Sequence, residues 1–447
     1  MYDDLLENES EHVEKTDNAT KDSTTVRVCA PAKFVDLKAR HVIIATGSRP
    51  NRPQNIRQHS SSSNILPVLP WKRGTVVCAT EMGSLPRVPR AAAILGGGVI
   101  AVEYATILAA LGVGVSLICP DSTFLPFLDS EIRESLKRRM KKEHILFVDE
   151  PVKQIIVEEG ASKDSSDIVR VFLEPRILKK EGHKVRQLPE RVLSVDLVLY
   201  SGGRDANSEG LGLENVAIEV GNYGRIEVDS SFETTSKNIG LSIFAVGDVI
   251  GGGLASTATQ QARNVATKLF GKKEVEIKEF VEDSNDVDKS EIEDFFNTQE
   301  NDHHDDDAPL FGNLCGSAEF DTPLTLWTYP EIASVGYTEV QAMDKFNGAI
   351  ICGRAFFKDI ARGRLSGDLD GFLKIIAHTK SKEIVGVHII GEYGNELIMP
   401  ASLLLHNKAT LDQVSKTPFA AVTLSALFGI AAEDAILKLR EKERERN

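Results

Sequence analysis

The sequence has few cysteines and no close pair of them. Five are scattered through the 447 residues, at Cys29, Cys78, Cys119, Cys315 and Cys352. No two of them are spaced as Cys-x-x-Cys or at another short interval, which excludes a close redox-active cysteine pair within these residues. An odd, scattered set is typical of free thiols in a reducing compartment, where most pack as small apolar groups.

Long apolar runs are absent as well. No stretch approaches the ~20 apolar residues that a membrane helix needs, so we expect no membrane partner. Residues 1–5 (MYDDL) are acidic, and they have neither the apolar core of a signal peptide nor the Arg/Ser-rich character of a transit peptide. The prediction is a cytoplasmic protein. An organelle stays open, because the natural N-terminus can lie further upstream.

An excess of positive charge is also lacking. The formal net charge is −14. Residues 274–307 contain 15 acidic and 2 basic residues, so this segment carries nearly all of the net negative charge. The almost neutral remainder argues against nucleic-acid binding through a basic face. The segment also contains His303 and His304 among aspartates. A loose metal site and a solvated charged loop are the alternatives, and we interpret it as the loop.

The most informative stretch is an apolar strand that leads into a glycine-rich turn and an apolar helix. The turn reads Gly-x-Gly-x-x-Ala. The first glycine permits a tight turn, the second leaves room for a pyrophosphate, and the alanine lets the helix pack closely on the sheet. The first N–H groups of the helix then face the phosphates. A glycine-rich turn in another parallel sheet is the alternative. The residues predicted to bind the dinucleotide here are Gly96, Gly97, Gly98, Val99, Ile100 and Ala101.

Hydrophobic patterns predict further elements on both sides of this unit. The expected strands are 26–30, 34–37, 41–45 (buried), 113–119, 151–158, 167–174, 196–200 and 243–246. The expected helices are 130–143 and 255–270. From residue 324, strands at 372–378 and 384–390 and a helix at 395–406 indicate antiparallel sheet with helices, which is a separate α+β domain.

Five motifs occur in an order that resembles the FAD-dependent pyridine nucleotide–disulfide oxidoreductases. They read ATGSRP at 45–50, GGGVIAVE at 96–103, GR-x-x-N at 203–207, AVGD at 245–248 and TYPEIASVGYTE at 328–339. Finer details resemble the soluble, Si-specific NAD(P) transhydrogenase branch of this family, namely FLDSE at 127–131, LEN at 213–215 and IAR at 360–362. The resemblance covers about residues 26–432 without the acidic segment.

The resemblance implies a role for each matching position. Asp248 would accept a hydrogen bond from the ribityl chain of FAD; a cap of the next turn is the alternative for this carboxylate. Glu103 and Gly203 would lie near the nicotinamide, although Glu103 also fits a buried, satisfied helix carboxylate. The remaining positions would contact FAD: Thr46, Gly47 and Ser48 on its adenosine and pyrophosphate side, and Gly253, Leu254, Ala255 and Ser256 near the isoalloxazine.

Three departures from the family pattern bear on function. The family opens with an FAD-binding Gly-x-Gly-x-x-Gly unit and, in most members, a cysteine pair. This chain begins about a hundred residues too late for either, so we expect that it is N-terminally truncated.

Disulfide-reducing members also carry a C-terminal His-Pro and Glu, where this chain has Ala421, Val422 and Ala426. At the end of the second strand Cys119 replaces the acid that binds the ribose of NAD, and no Arg stands there for a 2′-phosphate, so NAD and NADP both stay open.

The resemblance therefore implies an α/β protein with Rossmann-like FAD- and NAD(P)-binding domains, the FAD domain incomplete, followed by an α+β dimerisation domain. It implies hydride transfer between NADPH/NADP and NADH/NAD through FAD in a homodimer, with no catalytic side chain and no metal. A dihydrolipoyl dehydrogenase-like thiol reductase and a non-catalytic nucleotide-binding remnant are the alternatives. The expected segments are 1–24 (disordered), 25–90 (part of the FAD domain), 91–203 (NAD(P) domain), 204–271 (second part of the FAD domain), 272–322 (acidic disordered insert) and 323–447 (dimerisation domain).

Overall fold

The structure is a computed structural model that describes residues 12–13, 24–30, 33–53, 68–160, 167–175, 177–180, 183–187, 190–236, 242–271 and 322–446. The segments expected to be disordered, 1–24 and 272–322, lie almost entirely outside the described residues, as do His303 and His304. Residues 12–13 differ from that expectation, because they form a short strand that pairs antiparallel with residues 26–27.

The elements carry the following labels in chain order. The strands are β1 His12–Val13, β2 Thr24–Ala30, β3 Lys33–Ala39, β4 His41–Ile44, β5 Ser48–Pro50, β6 Val76–Cys78, β7 Ala91–Leu95, β8 Gly114–Ile118, β9 Leu146–Val148, β10 Val152–Glu158, β11 Ile168–Leu173, β12 Ile177–Lys180, β13 His183–Gln187, β14 Arg191–Val195, β15 Leu197–Tyr200, β16 Arg204–Ala206, β17 Ser242–Ala245, β18 Leu324–Leu326, β19 Ile332–Gly336, β20 Ile350–Phe356, β21 Phe372–His378 and β22 Ile384–Ile390. The helices are α1 Val99–Ala110, α2 Ser130–Lys142, α3 Ala255–Phe270, α4 Glu339–Lys345, α5 Ala361–Ser366, α6 Gly394–His406, α7 Leu411–Lys416 and α8 Ala426–Arg446. Every strand and helix expected from the sequence is present within two residues of its expected bounds.

The described residues of 1–49 and 205–317 form one compact unit. Strands β4 and β17 pair in parallel, and Ile44, Ile243 and Ala245 contribute to its core. Helix α3 buries Thr257, Gln261 and Val265, which are spaced four residues apart and so share one helix face. The strand expected to be buried at 41–45 is buried only in part, since Ile44 is enclosed whereas Ile43 is 44% exposed.

The described residues of 50–204 and 318–447 form the second unit. Its first sheet has five parallel strands in the order β6-β15-β7-β8-β9. The central strands read AAAIL and LVLY and are buried almost throughout, as expected for a parallel sheet covered on both faces. Strand β6 pairs with β15, so it lies in the dinucleotide unit, whereas the sequence placed it in the segment 25–90.

The second sheet of this unit is antiparallel, in the order β18-β19-β22-β21-β20. Helix α6 packs on β19 and β22, and α8 packs on β20 and β21. This confirms the expected antiparallel sheet with helices. It is not packed separately, however, because Leu326, Ile332, Phe372 and Ile390 belong to the same hydrophobic core as the residues around α1 and α2. Among the helices of the described residues, none combines the length and the apolar character that a membrane span requires.

Candidate functional site

The turn between β7 and α1 requires glycine at its first two positions. Gly96 has φ +131°, and a Cβ there would lie 2.6 Å from the carbonyl oxygen of Ser201 at the end of β15. A Cβ on Gly97 would lie 2.6 Å from the carbonyl oxygen of Thr123. Distances under 3 Å are far inside van der Waals contact, so neighbouring backbone encloses this turn from behind and fixes its path.

Gly98 is the position where the same turn opens outward. A Cβ there would meet no atom within 4 Å, and its φ of −81° suits any residue. Gly98 is also the N-cap of α1, and it offers no side-chain acceptor to the first N–H groups of the helix. Uncapped N–H groups at the positive end of a helix dipole bind anions. The geometry therefore leaves a main-chain surface for a phosphate at Val99 and Ile100.

Ala101 and Cys119 lie behind this turn rather than on its open side. Ala101 is fully buried, and Cys119 is 4% exposed. The Cβ atom of Cys119 lies 3.2 Å from the position that a Cβ on Gly97 would take. The small side chain of Ala101 thus lets the helix approach the sheet, and the thiol of Cys119 packs in the core. For a ribose hydroxyl, residue 119 offers backbone rather than a side chain.

Glu103 lies on α1, one and a half turns after Gly98. Its carboxylate Oε1 accepts a hydrogen bond of 2.8 Å from the backbone N–H of Trp327. Burial raises the pKa of Glu103, and the N–H of Trp327 offsets part of this effect. The carboxylate is therefore partly desolvated, and a further positive charge or donor near it would be stabilised strongly.

Gly203 follows β15, two residues after Ser201. It has φ +114°, and a Cβ there would meet nothing within 4 Å. Its carbonyl oxygen accepts a hydrogen bond of 3.1 Å from the N–H of Asn51. A glycine with a positive φ and open space beside it permits close approach of a flat ligand to the backbone.

In the other unit, the structure brings Ser48, Asp248 and Gly253 together. Asp248 follows β17 in a 3-10 turn, Gly247–Ile250. The hydroxyl of Ser48 donates to its Oδ2 at 2.7 Å, and the N–H of Gly253 donates to its Oδ1 at 3.1 Å. These two bonds fix the orientation of the carboxylate. An oriented, partly exposed carboxylate is suited to accept a hydrogen bond from a sugar or polyol hydroxyl.

Thr46 and Asn207 support this arrangement. The hydroxyl of Thr46 donates to the carbonyl oxygen of Asn207 at 2.7 Å, and the side-chain amide of Asn207 donates to the carbonyl oxygen of Thr46 at 3.0 Å. Gly47 lies between Thr46 and Ser48 with φ +72° and accepts from the N–H of Asn207. Asn207 belongs to a motif that the sequence singled out, but its role as a tether for residues 46–48 was not predicted.

The start of α3 completes the site in this unit. Gly251, Gly252 and Gly253 all have positive φ values. Leu254 is the N-cap and provides no side-chain acceptor, while Ala255 and Ser256 are exposed. As at α1, the first N–H groups of the helix have no side-chain cap, so they can serve a ligand.

Sequence reasoning missed a buried ion cluster that joins α2 to the antiparallel sheet. The Nζ of Lys374 on β21 is fully buried, 2.9 Å from Asp129, 3.0 Å from Glu131 and 2.6 Å from Glu339. Arg354 on β20 also pairs with Glu131. Asp129 caps α2 through a hydrogen bond from the N–H of Glu131. The partners of Lys374, namely Asp129, Glu131 and Glu339, belong to motifs that the sequence singled out, and Lys374 interrupts a mainly apolar strand, but nothing in the sequence joined them.

The pKa values in this cluster follow from its pairs. The hydrogen bond from Arg354 lowers the pKa of Glu131 to about 2. Burial alone would lower the pKa of Lys374, but the hydrogen bond to Glu339 and the charge of Asp129 outweigh it and raise the value. Burial raises the pKa of the nearby Cys352 thiol to about 12. Glu131 and Lys374 are therefore held in their ionised form at neutral pH, and Cys352 remains a thiol.

Two family profiles match the chain. The one described as pyridine nucleotide-disulphide oxidoreductase matches residues 3–262, and the dimerisation domain of the same family matches residues 322–432. Among curated proteins, the chain is 30% identical to the soluble pyridine nucleotide transhydrogenase of Marinomonas sp. (strain MWYL1), over 92% of this chain and 73% of the relative. It is also 30% identical to the protein of that name from Pseudomonas putida (strain W619), over 94% and 74%.

Solved structures show the same fold. The HOCl-induced flavoprotein disulfide reductase RclA from Escherichia coli superposes with a TM-score of 0.66 at 22% identity, over 92% of this chain and 76% of that chain. LpdA from Mycobacterium tuberculosis superposes with a TM-score of 0.69 at 19% identity, over 95% and 75%. The expected fold class is thereby confirmed. The chain belongs to the pyridine nucleotide-disulphide oxidoreductases, flavin-dependent enzymes that bind FAD and NAD(P).

Proposed function

We propose that this chain transfers hydride between NADPH/NADP and NADH/NAD through FAD, as a soluble pyridine nucleotide transhydrogenase. The curated relatives of that name support the proposal. The structural observation that carries it is the turn at Gly96, Gly97 and Gly98, which is closed from behind by backbone and open at the uncapped start of α1. Such a surface binds the pyrophosphate of a dinucleotide through main-chain N–H groups.

Different residues around this turn would bind different parts of a nicotinamide nucleotide. The first N–H groups of α1 would bind the pyrophosphate, with Val99 and Ile100 next to it. Glu103 and Gly203 would flank the nicotinamide half, as the family resemblance implies; the carboxylate of Glu103 is partly desolvated, and Gly203 has open space beside it. NAD and NADP both fit this proposal, because Cys119 is buried and offers no charged side chain for a ribose or a 2′-phosphate.

The second unit would hold the flavin. Asp248, oriented by Ser48 and Gly253, fits a ribityl hydroxyl, and the uncapped start of α3 at Leu254, Ala255 and Ser256 fits an electron-rich edge of the ring system. Bound FAD accepts and donates the hydride. Thr46 and Gly47 would keep the chain that carries Ser48 in place.

Thiol reduction is the activity that the described residues support least. Cys78, Cys119 and Cys352 are each buried and in no disulfide. Ala421, Val422 and Ala426 stand where disulfide-reducing members of the family have a His-Pro and a Glu, so no side chain there can move a proton to or from a thiolate. We therefore propose no catalytic side chain and expect no lipoamide-dependent oxidation of NADH.

The domain assignment that we propose combines the sequence and the sheets. Residues 25–49 and 204–271 would bind FAD, 50–203 would bind NAD(P), and 323–447 would mediate dimerisation. Strand β6 is the reason for placing residues up to 90 in the NAD(P) domain. We further propose a cytoplasmic location, which the relatives described as soluble support.

We also propose a homodimer formed through the last domain. The apolar stretch 419–432 does not itself argue for it, because Leu424, Leu427 and Phe428 are buried in the core of the same domain. Exposed apolar side chains elsewhere in the domain support it, namely Leu365, Leu369, Met399 and Leu403. Light scattering on the full chain should give twice the mass of one chain at micromolar concentration. A stable monomer there would contradict the dimer.

The substitution Gly98→Val tests the nucleotide site. The backbone at Gly98 tolerates a side chain, so the variant should fold, while the added methyl groups occupy the space of the pyrophosphate. We expect binding of NADH and NADPH, measured by calorimetry, to weaken at least about 100-fold, equivalent to about 3 kcal/mol.

Gly83→Val is the matched control for that experiment. A Cβ on Gly83 also meets nothing within 4 Å, but this glycine lies outside the turn, so affinity should be unchanged. The assignment of the site is wrong if Gly98→Val binds both nucleotides with wild-type affinity.

A further inference from the structure

The last helix of the protein extends beyond the sheet on which it packs. Helix α8 contributes buried side chains as far as Leu439, whereas every residue of 440–445 is exposed. This exposed end is about 9 Å long along the helix axis. A short helical end gains little stability from its own hydrogen bonds, so a second surface that covered it would stabilise it.

One face of this helical end lines a groove. The groove has a volume of about 430 Å³ and lies between α4, β20 and α8. Helix α8 lines it with four charged residues, Lys438, Glu441, Lys442 and Glu445. Because neighbours on a helix surface are three or four positions apart, these four residues share one face. Met343 lines the groove from α4 and is 48% exposed. The charged face of α8, defined by these four residues, is therefore open to a partner.

Most of the charges on this face have no counter-charge in their own chain. Lys438 pairs with Asp434 at 2.6 Å. Among the described residues, Glu441, Lys442 and Glu445 form no ion pair and no side-chain hydrogen bond. Within the helix, the pairs four positions apart carry like charges, and the unlike pairs three positions apart run from Lys to Glu, which is the less favourable order. The pattern is therefore not explained by stabilisation of α8 itself.

The order of the four charges is complementary to itself when it is reversed. From residue 438 to residue 445 the charged face reads Lys, Glu, Lys, Glu, and the spacing is symmetrical about its centre. An antiparallel copy of this face places Glu445 opposite Lys438 and Lys442 opposite Glu441, whereas a parallel copy would place like charges opposite one another. A two-fold axis across α8 generates the antiparallel arrangement, and each contact then occurs twice.

Exposed apolar side chains border the charged face. Leu437 is 56% exposed and lies one helical turn before Glu441, and Val340 is 70% exposed and lies one turn before Met343 on α4. Exposed ion pairs each contribute little and are screened by salt, whereas burial of apolar surface adds a contribution that does not depend on charge. The charges therefore select the partner and its direction, and the association that they guide should be weak.

We propose that the charged face of α8 binds the same face of a second copy of the chain, with the two helices antiparallel across a two-fold axis. The family's dimerisation profile matches residues 322–432, so the whole charged face lies beyond that match. None of the four exposed residues that support the homodimer lines this groove. The contact would therefore be a second interface, which joins homodimers into a larger assembly, and it does not rest on the proposed nucleotide sites.

Sedimentation equilibrium of the full chain, from micromolar to millimolar concentration, measures this association. Ionic strengths of about 0.01 M and about 1 M give Debye lengths of about 30 Å and about 3 Å. The wild type should form species heavier than the homodimer at the low ionic strength and fewer of them at the high one. Lys442→Glu places two carboxylates opposite each other twice, so the dissociation constant at low ionic strength should rise at least about 10-fold. Arg444→Glu makes the same change in charge at an exposed residue that does not line the groove, and it should associate like the wild type.

Two disruptive variants should rescue each other. Glu441→Lys alone should also weaken association, with Glu443→Lys as its matched control outside the groove. An equimolar mixture of Glu441→Lys chains and Lys442→Glu chains should associate about as well as the wild type, because each introduced charge then faces its opposite on the other chain. The double variant Glu441→Lys/Lys442→Glu should associate by itself for the same reason. Since the substituted residues are exposed, the urea midpoints of these variants should stay at the wild-type value.

Three results would overturn the proposed contact. The first is a wild-type chain that forms nothing heavier than the homodimer over the whole series at low ionic strength. The second is association that Lys442→Glu leaves unchanged, or that neither the mixture nor the double variant restores. The third is an equal loss in the two controls, which would attribute the effect to net charge. A chain that is monomeric at micromolar concentration contradicts the homodimer alone, because the exchange at residues 441 and 442 then acts on the association of monomers and is measured in the same way.

Discussion

The two glycine-rich turns of this protein look alike in sequence and differ in what fixes them. Both follow a parallel strand, β7 or β17, and both lead into a helix whose N-cap has no side-chain acceptor. At Gly96 and Gly97 an added Cβ would collide with neighbouring backbone, so packing from behind dictates glycine. At Gly253 an added Cβ would meet no atom within 4 Å. This turn is held instead by a hydrogen bond from the N–H of Gly253 to the carboxylate of Asp248.

This difference corresponds to two kinds of recognition. A turn enclosed by backbone leaves only its N–H groups for a ligand, and N–H groups bind phosphate oxygens. A turn tied to a carboxylate adds an acceptor, and an acceptor binds hydroxyl groups. On the proposed assignment, one chain would use main-chain donors to bind the charge of a phosphate and a side-chain acceptor to bind a sugar or polyol.

The largest expected effect comes from placing the same substitution in each turn. Gly96→Ala puts a Cβ 2.6 Å from the carbonyl oxygen of Ser201 at φ +131°. We expect a loss of about 2–5 kcal/mol in the free energy of unfolding, from backbone strain and overpacking. Gly253→Ala meets no atom, and only its φ of +78° opposes it, so the loss should be about 1–2 kcal/mol.

Urea unfolding followed by circular dichroism measures both variants. Gly83→Ala, with open space and no positive φ, should stay within about 1 kcal/mol of the wild type. Equal losses for Gly96→Ala and Gly253→Ala would remove the distinction between a turn fixed by packing and one fixed by a carboxylate.

A smaller effect is expected from Asp248→Asn, which tests the acceptor. An amide offers one acceptor oxygen in place of two, so a ligand hydroxyl or the N–H of Gly253 loses its partner. FAD binding, followed by flavin fluorescence, should weaken roughly 5- to 100-fold, as for a hydrogen bond to a charged group. Affinity for NADH should not change.

Glu209→Gln provides the control for that variant. It removes an exposed carboxylate of the same unit that pairs only with Arg49 among the described residues, so FAD affinity should stay at the wild-type value. If Asp248→Asn weakens NADH binding as much as FAD binding, the two turns do not serve separate ligands.

The smallest effect is expected from Glu103→Gln, and it depends on pH. Burial raises the pKa of Glu103 in the folded chain above the ordinary value of 4.5. As the pH rises, the unfolded chain therefore loses this proton first. The protonated carboxyl of Glu103 contributes to the stability of the folded chain below pH 4.5, and this contribution is lost as the pH rises through the folded pKa. The glutamine cannot ionise, but its oxygen can still accept from Trp327.

The urea midpoint of Glu103→Gln should therefore be equal to or below that of the wild type at about pH 4 and above it at about pH 7. A midpoint difference that is the same at both values would show that the carboxylate is not desolvated in the folded chain. This measurement also separates the stability of the α1 region from its affinity for nucleotides.

The sequence was sufficient for the parts of the fold that local chemistry determines. The turn at Gly96 was predictable because strand, glycines and apolar helix follow one another within a dozen residues. Lys374 was not, because its partners Asp129 and Glu339 lie on other elements far along the chain. The hydrogen bond from the N–H of Trp327 to Glu103 was missed for a similar reason, since it joins residues 224 positions apart.

Burial was harder to predict than secondary structure. The strand at 41–45 was correctly located, but an apolar run does not tell which of its side chains will be covered, and Ile43 remains largely exposed. The uncharged stretch 419–432 is divided in the same way. Leu424, Leu427 and Phe428 fill the core of their own domain, whereas Val422 is 58% exposed.

The ion cluster at Lys374 has a consequence for how the chain can be divided. An ammonium with no access to water requires Asp129, at the start of α2, and Glu339, at the start of α4, to be present at the same time. A fragment that ends between these residues would leave the ammonium or the carboxylates without their counter-charge, at a cost of several kcal/mol. The nucleotide-binding and the last domain should therefore melt in a single transition. In evolution they would be inherited as a pair and not exchanged one at a time between proteins.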